Sequence, residues 1–216
     1  MLFGGLTLAQ LIANAIALLV AIDVHEFCHG WMANRLGDPT PRYHGRLTLN
    51  PLAHLDPLGT LMLLLARFGW GKPVPVNPYN LGNPKRGLAL VSFAGPLANL
   101  LAAAAFALPI RWGLITPTLG GRVIPSLELV LTTIVLVNVG LALFNLIPIA
   151  PLDGFQVAVG LLPHRWSYAL ARLERYGPLL LLLLIVAPTF LGIDLLWRVM
   201  GPLVGFIWMV FTGHLF

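Results

Sequence analysis

His25, Glu26 and His29 stand together in the stretch DVHEFCHGW, residues 23–31. On an α-helix, residues four apart differ by roughly 40° about the axis, so both imidazoles can face one point, with Glu26 on the neighbouring surface. This is the H-E-x-x-H arrangement, in which two histidines hold a zinc ion and the glutamate beside them is a general base. Two imidazoles are half of a site, because catalytic zinc usually has three protein ligands and one open position for water. The chain has eight acidic residues and six histidines, so candidates for the third ligand are few. Asp153, in PLDG at the end of a proline-broken apolar run, is the first of them; His54, in NPLAHLDP, is the second. A carboxylate at membrane depth is costly unless it is paired or bound to metal. With the ligand set complete, the chemistry is peptide hydrolysis. The metal lowers the pKa of its water toward about 7 and polarises the scissile carbonyl, while Glu26 takes a proton and hands it to the leaving amine.

The elements that must position these residues are read from composition. Of 216 residues, 58% are hydrophobic and 10% charged, with a mean hydropathy of +0.86; an ordinary soluble domain carries roughly 25% charged residues. The chain is expected to be all-α, a polytopic transmembrane helical bundle of five to six membrane segments embedded in a lipid bilayer and forming a single domain over residues 1–216. The net charge of +5 does not point to nucleic acid, since Lys and Arg sit at the ends of apolar runs and read as topology signals. The single cysteine, Cys28, excludes an internal disulfide framework and a cysteine-only metal site. The N-terminal MLFGGLTLAQ lacks a basic region and a cleavage site, so the first apolar run is expected to be retained as a helix.

That first helix should cover about residues 6–34 and end before Gly37-Asp38-Pro39, carrying the histidines near its C-terminal end. Between it and the Ala94–Asn99 helix the sequence predicts a small strand-like or re-entrant region. Residues 42–49 alternate weakly like a strand, and the apolar run at 58–68 is too short to span. The Pro-rich stretch GWGKPVPVNPYNLGNPKRG reads as extended chain, whose residues 73–80 could offer backbone groups to an extended substrate. Full spans are expected at about 88–109 and 127–147; in the former, Ala94, Gly95, Ala98 and Ala102 permit close helix contact. C-terminal membrane segments follow over 178–216, the tail making one span or two.

Ten basic residues (Arg35, Arg42, Arg46, Arg67, Lys72, Lys85, Arg86, Arg165, Arg172 and Arg175) fall on the side of the first helix's C-terminal end and two, Arg111 and Arg122, on the other. The N-terminus is therefore expected outside and the histidines toward the cytoplasmic face. Asp153, at the end of a span running in the same direction, arrives at a similar depth.

HEFCH on a membrane helix, AGPLAN at 94–99 and FNLIPIAPLDG at 144–154 together resemble the site-2 proteases, the intramembrane zinc metalloproteases. The resemblance covers about residues 6–162, the expected core, and is to the compact prokaryotic members without a PDZ or CBS domain. It implies one zinc ion per chain held by His25, His29 and Asp153, with Glu26 as the catalytic base. It further implies that Asn145 positions substrate or stabilises the oxyanion, and that His54 lies near the active site. The implied substrates are transmembrane or membrane-anchored proteins of the cytoplasmic membrane; a homo-oligomer is compatible with the sequence. A metal transporter using the same ligands is the competing reading, and Glu26 speaks against it, since transit needs no general base.

Overall fold

The computed structural model describes residues 7–59, 71–115, 123–191 and 195–215. The expected dip at 58–68 falls almost wholly outside the described residues.

Helix α1 spans Leu8–Arg35. Thr7 caps it, its hydroxyl accepting from the Gln10 amide while the Gln10 side chain takes the Thr7 amide, which satisfies two donors that a helix start leaves open. Apart from Gly30, its buried residues fall every fourth position: Ala9, Ala13, Ala17, Ala21, His25, His29 and Ala33. Side chains four apart stack along one helix face, so the histidines continue a seam of alanines that lets a second helix come close. Leu36 closes the helix, and Gly37, at φ +104°, turns the chain in a conformation that L side chains rarely adopt.

A single helical turn, α2 (Thr40–Tyr43), follows. No strand forms at 42–49, nor anywhere else among the described residues; the nearest approach is one isolated antiparallel bridge between Leu55 and Gly71. The alternation at 42–49 is overridden by Asp38, which is fully buried, accepts from the amide and hydroxyl of Thr40, and so winds the chain into a turn. Residues 72–77 are extended: Lys72, Val74 and Asn77 each precede a proline, which biases them away from the helical region, and Pro78–Asn80 then make a single 3-10 turn.

Helix α3 (Pro84–Arg111) begins four residues before the expected 88. Asn83 accepts from the Arg86 amide and Pro84 occupies the first helical position, a start the proline tolerates because its missing N–H would have had no partner. Gly87, Val91, Gly95, Asn99, Ala103 and Ala107 are buried, again at four-residue spacing. Helix α4 (Leu127–Asn145) starts at a Ser126 cap. α1, α3 and α4 pack against one another in all three pairings, and these are the three helices long and apolar enough to cross a membrane.

Two short helices, α5 (Asp153–Leu161) and α6 (His164–Ala171), follow; α5 lies against α3 and α6 against α5. The tail makes α7 (Gly177–Leu191) and α8 (Leu195–Thr212), so residues 195–212 form one helix rather than two. α8 packs on α3 and α4, where Val204 and Trp208 join Ala103, Ala107, Val135 and Val139 in an apolar core. All-α architecture stands; with α7 and α8 the described residues hold five apolar helices.

Candidate metal centre

His25 and His29 reach the seam between α1 and α3 because each is the next step of the alanine stripe, and they are 6% and 8% exposed. Their rings meet edge to face with centroids 4.5 Å apart. α3 makes room for them with Gly95: a Cβ there would lie 2.5 Å from Cε1 and Nε2 of His29 and 2.8 Å from Cε1 of His25. The glycine in AGPLAN is thus a vacancy shaped for two imidazoles, more than a site of close helix contact. Pro96, inside α3, cannot donate to the carbonyl of Ser92 and loosens the turn that faces His29.

Each ring is oriented from behind. Nδ1 of His29 lies 2.7 Å from the Val91 carbonyl, which only accepts, so Nδ1 carries the proton. Nδ1 of His25 lies 2.6 Å from Oδ1 of Asn99. The orientation of that amide is fixed by its other contacts: Nδ2 of Asn99 donates to the Ala21 carbonyl at 2.8 Å and to Oδ1 of Asn138 at 2.9 Å, and Asn138 in turn donates to the Ile134 carbonyl at 2.8 Å. Asn99 and Asn138 are fully buried, and the network ties α1, α3 and α4 together through His25. Both rings therefore hold their hydrogen on Nδ1 and turn an Nε2 lone pair forward.

What they face is Asp153. Its Oδ2 lies 3.0 Å from Nε2 of His25 and 3.3 Å from Nε2 of His29, yet this buried oxygen has no hydrogen-bond partner. Asp153 opens α5, where a carboxylate is favoured by the helix dipole. The first turn of α5 packs tightly on the end of α4, since a Cβ on Gly154 would fall 2.2 Å from the Leu146 carbonyl oxygen. Three atoms bearing lone pairs converge within 4.8 Å of one another. A proton shared with one imidazole would satisfy two of them; a divalent cation satisfies all three. Two nitrogens and one oxygen are a donor set of catalytic zinc, and the edge of a tetrahedron of zinc bonds is about 3.3 Å, close to the observed Nε2 to Oδ2 separations.

A cavity of about 280 Å³ opens beside these three residues. Glu26 and Asn145 line it, and so do Pro73, Val74 and Val76 of the extended segment. Nδ2 of Asn145 donates to the Leu141 carbonyl at 3.1 Å. His54 does not line this cavity. It is fully buried under α1, with Nε2 2.9 Å from the Thr48 carbonyl and 3.6 Å from Oδ1 of Asp23, which gives Asp23 a neighbour the sequence did not suggest. Cys28 is half-buried and unpaired.

The chain is 38% identical over 187 residues to YwhC of Bacillus subtilis, covering 86% of this chain and 84% of that one. It is 35% identical over 182 residues to Rip2 of Mycobacterium tuberculosis and 32% over 176 residues to Rip2 of Mycolicibacterium smegmatis, spanning 66% and 65% of those chains. All three carry the name putative zinc metalloprotease. The chain belongs to this zinc metalloprotease family. No family model and no solved structure matches it.

For a zinc metalloprotease of this family, the contacts behind the imidazoles are as informative as the imidazoles themselves. Asn99, Asn138, Gly95 and the Val91 carbonyl are the site's supporting residues, and the spacing of H-E-x-x-H does not reveal them. The signal that could have found them is the four-residue stripe of α3, on which Asn99 is the one polar member among small and apolar residues. Asn99→Ala removes the acceptor that sets the His25 tautomer, and the expected result is a 10- to 100-fold weaker zinc affinity, about the usual cost of losing such support. Competition with a chromogenic chelator measures it, and wild-type affinity in the variant would refute the assignment.

Proposed function

We propose that the protein is an intramembrane zinc endopeptidase of the site-2 type, hydrolysing peptide bonds in or near transmembrane helices of other membrane proteins. The observation that carries this reading is the convergence of His25, His29 and Asp153 at one end of three apolar helices, with Glu26 on the wall of the adjoining cavity. His25, His29 and Asp153 would hold zinc. Zinc bound there supplies a Lewis acid for the scissile carbonyl and lowers the pKa of water toward about 7. Glu26 removes the proton from the attacking water and returns it to the leaving amine. One Nδ2 hydrogen of Asn145 is taken by the Leu141 carbonyl, and the second serves the substrate's carbonyl oxygen as charge develops on it. The bilayer sets the remaining demand: an intact helix buries its carbonyls in hydrogen bonds, so the substrate has to unwind. Residues 73–76, extended along the cavity wall, suit an unwound peptide. The excess of basic residues at this end of the bundle supports placing the site toward the cytoplasm.

The test is reconstitution. Protein in proteoliposomes should cleave a single-span reporter whose helix is weakened by an Asn-Pro pair; a zinc chelator should stop cleavage, and added zinc should restore it. Zinc flux across the vesicle without cleavage would replace this reading with a transporter.

A further inference from the structure

The extended segment 72–77 is held at both ends by buried charged side chains, and neither charge has an oppositely charged partner in its hydrogen bonds. Arg46 is 5% exposed. Its Nη1 donates to the Ala53 carbonyl and to the Lys72 carbonyl at 3.2 Å, and its Nη2 to the Pro73 carbonyl at 3.3 Å. Asp38 is fully buried. Its Oδ2 accepts from the Asn77 amide at 2.7 Å, and its Oδ1 from Nδ2 of Asn80 at 2.7 Å as well as from Thr40. These bonds hold the Asp38 carboxyl below the ordinary carboxylate range despite the opposing cost of burial.

Burying a guanidinium and a carboxylate is expensive, and apolar residues of similar volume would often serve stability as well or better. What the charges add is direction. Arg46 reaches three carbonyls from two separate segments, which a planar fork with five donors can do and an apolar side chain cannot. Both anchors stand on one short stretch, residues 38–46, that leaves the C-terminal end of α1, the helix that carries His25, Glu26 and His29. The segment is thereby referenced to the catalytic helix at both ends. Between the anchors, the backbone N–H and C=O groups of Val74 and Val76 have no hydrogen-bond partner among the described residues, and both residues line the cavity.

We infer that Arg46 and Asp38 are positioning residues, which set the height and register of residues 73–76 over Glu26 and so determine how tightly an extended peptide is held. The inference rests on the endopeptidase reading, and its test separates the two. In zinc-loaded protein in nanodiscs, hydrogen exchange reads the Asp38 anchor at the Asn77 N–H that it accepts, and the Arg46 anchor at the neighbouring Lys72 N–H, which donates to the His54 carbonyl at 2.7 Å. Arg46→Lys, which keeps the charge and loses the fork, should speed exchange at the Lys72 amide; Asp38→Asn, which sets an amide donor against the Asn77 N–H, should speed it there, each by about tenfold or more. With the single-span reporter in detergent, both variants should raise KM about tenfold while kcat stays within about twofold and bound zinc is unchanged. Faster exchange with an unchanged KM overturns the inference, as does a joint fall of kcat and bound zinc, which would mark the anchors as general structural supports. If the wild type cleaves nothing, the endopeptidase reading fails; the exchange measurement still decides the anchoring, and unchanged rates in both variants overturn it.

Discussion

Replacing Glu26 by Gln leaves bound zinc at the wild-type level and lowers cleavage of a single-span reporter by about a thousandfold or more. Gln keeps the length and shape of the side chain and loses the basic oxygen, so the attacking water keeps its proton; positioned acid–base groups contribute about 10² to 10⁴ in rate. Zinc stays because Glu26 is not among the three converging residues, which hold their places through Asn99, Val91 and the start of α5. The fall should appear in kcat, since the proton is moved in the transition state and not on binding. Metal analysis beside single-turnover cleavage makes the check. A variant that cleaves within tenfold of the wild type would remove Glu26 from the mechanism.

Gly95→Ala tests the other half of the site, its shape. The added methyl would stand 2.5 Å from two atoms of the His29 ring and 2.8 Å from the His25 ring. The rings cannot retreat, because they are pinned from behind by Val91 and Asn99 and packed in a seam of alanines; either they rotate away from Asp153 or α1 and α3 separate. Overpacking of this kind typically costs 1–3 kcal/mol, about enough to lower thermal stability visibly. The larger effect falls on the metal: zinc affinity should drop by about a hundredfold or more, as loss of ring orientation disturbs two ligands at once. Chelator competition and a melting curve measure the two effects separately. Full zinc loading at wild-type affinity would show that the vacancy at Gly95 is not needed.

The bundle and half of the site were legible in the sequence because they rest on local rules. Apolar runs and their caps mark the helices, with errors of a few residues where Asn83-Pro84 supplied an earlier start. The four-residue spacing of His25 and His29 is a property of one helix and needs no fold to be read. The strand expected at 42–49 failed for a non-local reason: Asp38 is buried by Asn77 and Asn80, from more than 30 positions away, and it dictates the turn at Thr40. The resemblance put His54 near the active site; packing sets its ring against Asp23, one turn before Glu26 on α1, and its backbone beside Gly71, which also adjoins the Glu26 carboxylate.

The sequence by itself carried a zinc-binding pattern on an apolar helix and put Asp153 ahead of His54 as its third member, a ligand set that the family resemblance then implied. Only the tertiary structure decided that Asp153 meets both imidazoles through one oxygen, that Asn99 and the Val91 carbonyl turn the rings toward it, and that Pro73, Val74 and Val76 line the cavity beside them. The reason is physical. Ligand identity and helical spacing are set within a few residues, whereas the direction of a lone pair depends on what stands behind the ring, and that is supplied by one helix, α3, about 60 to 75 positions away in the chain.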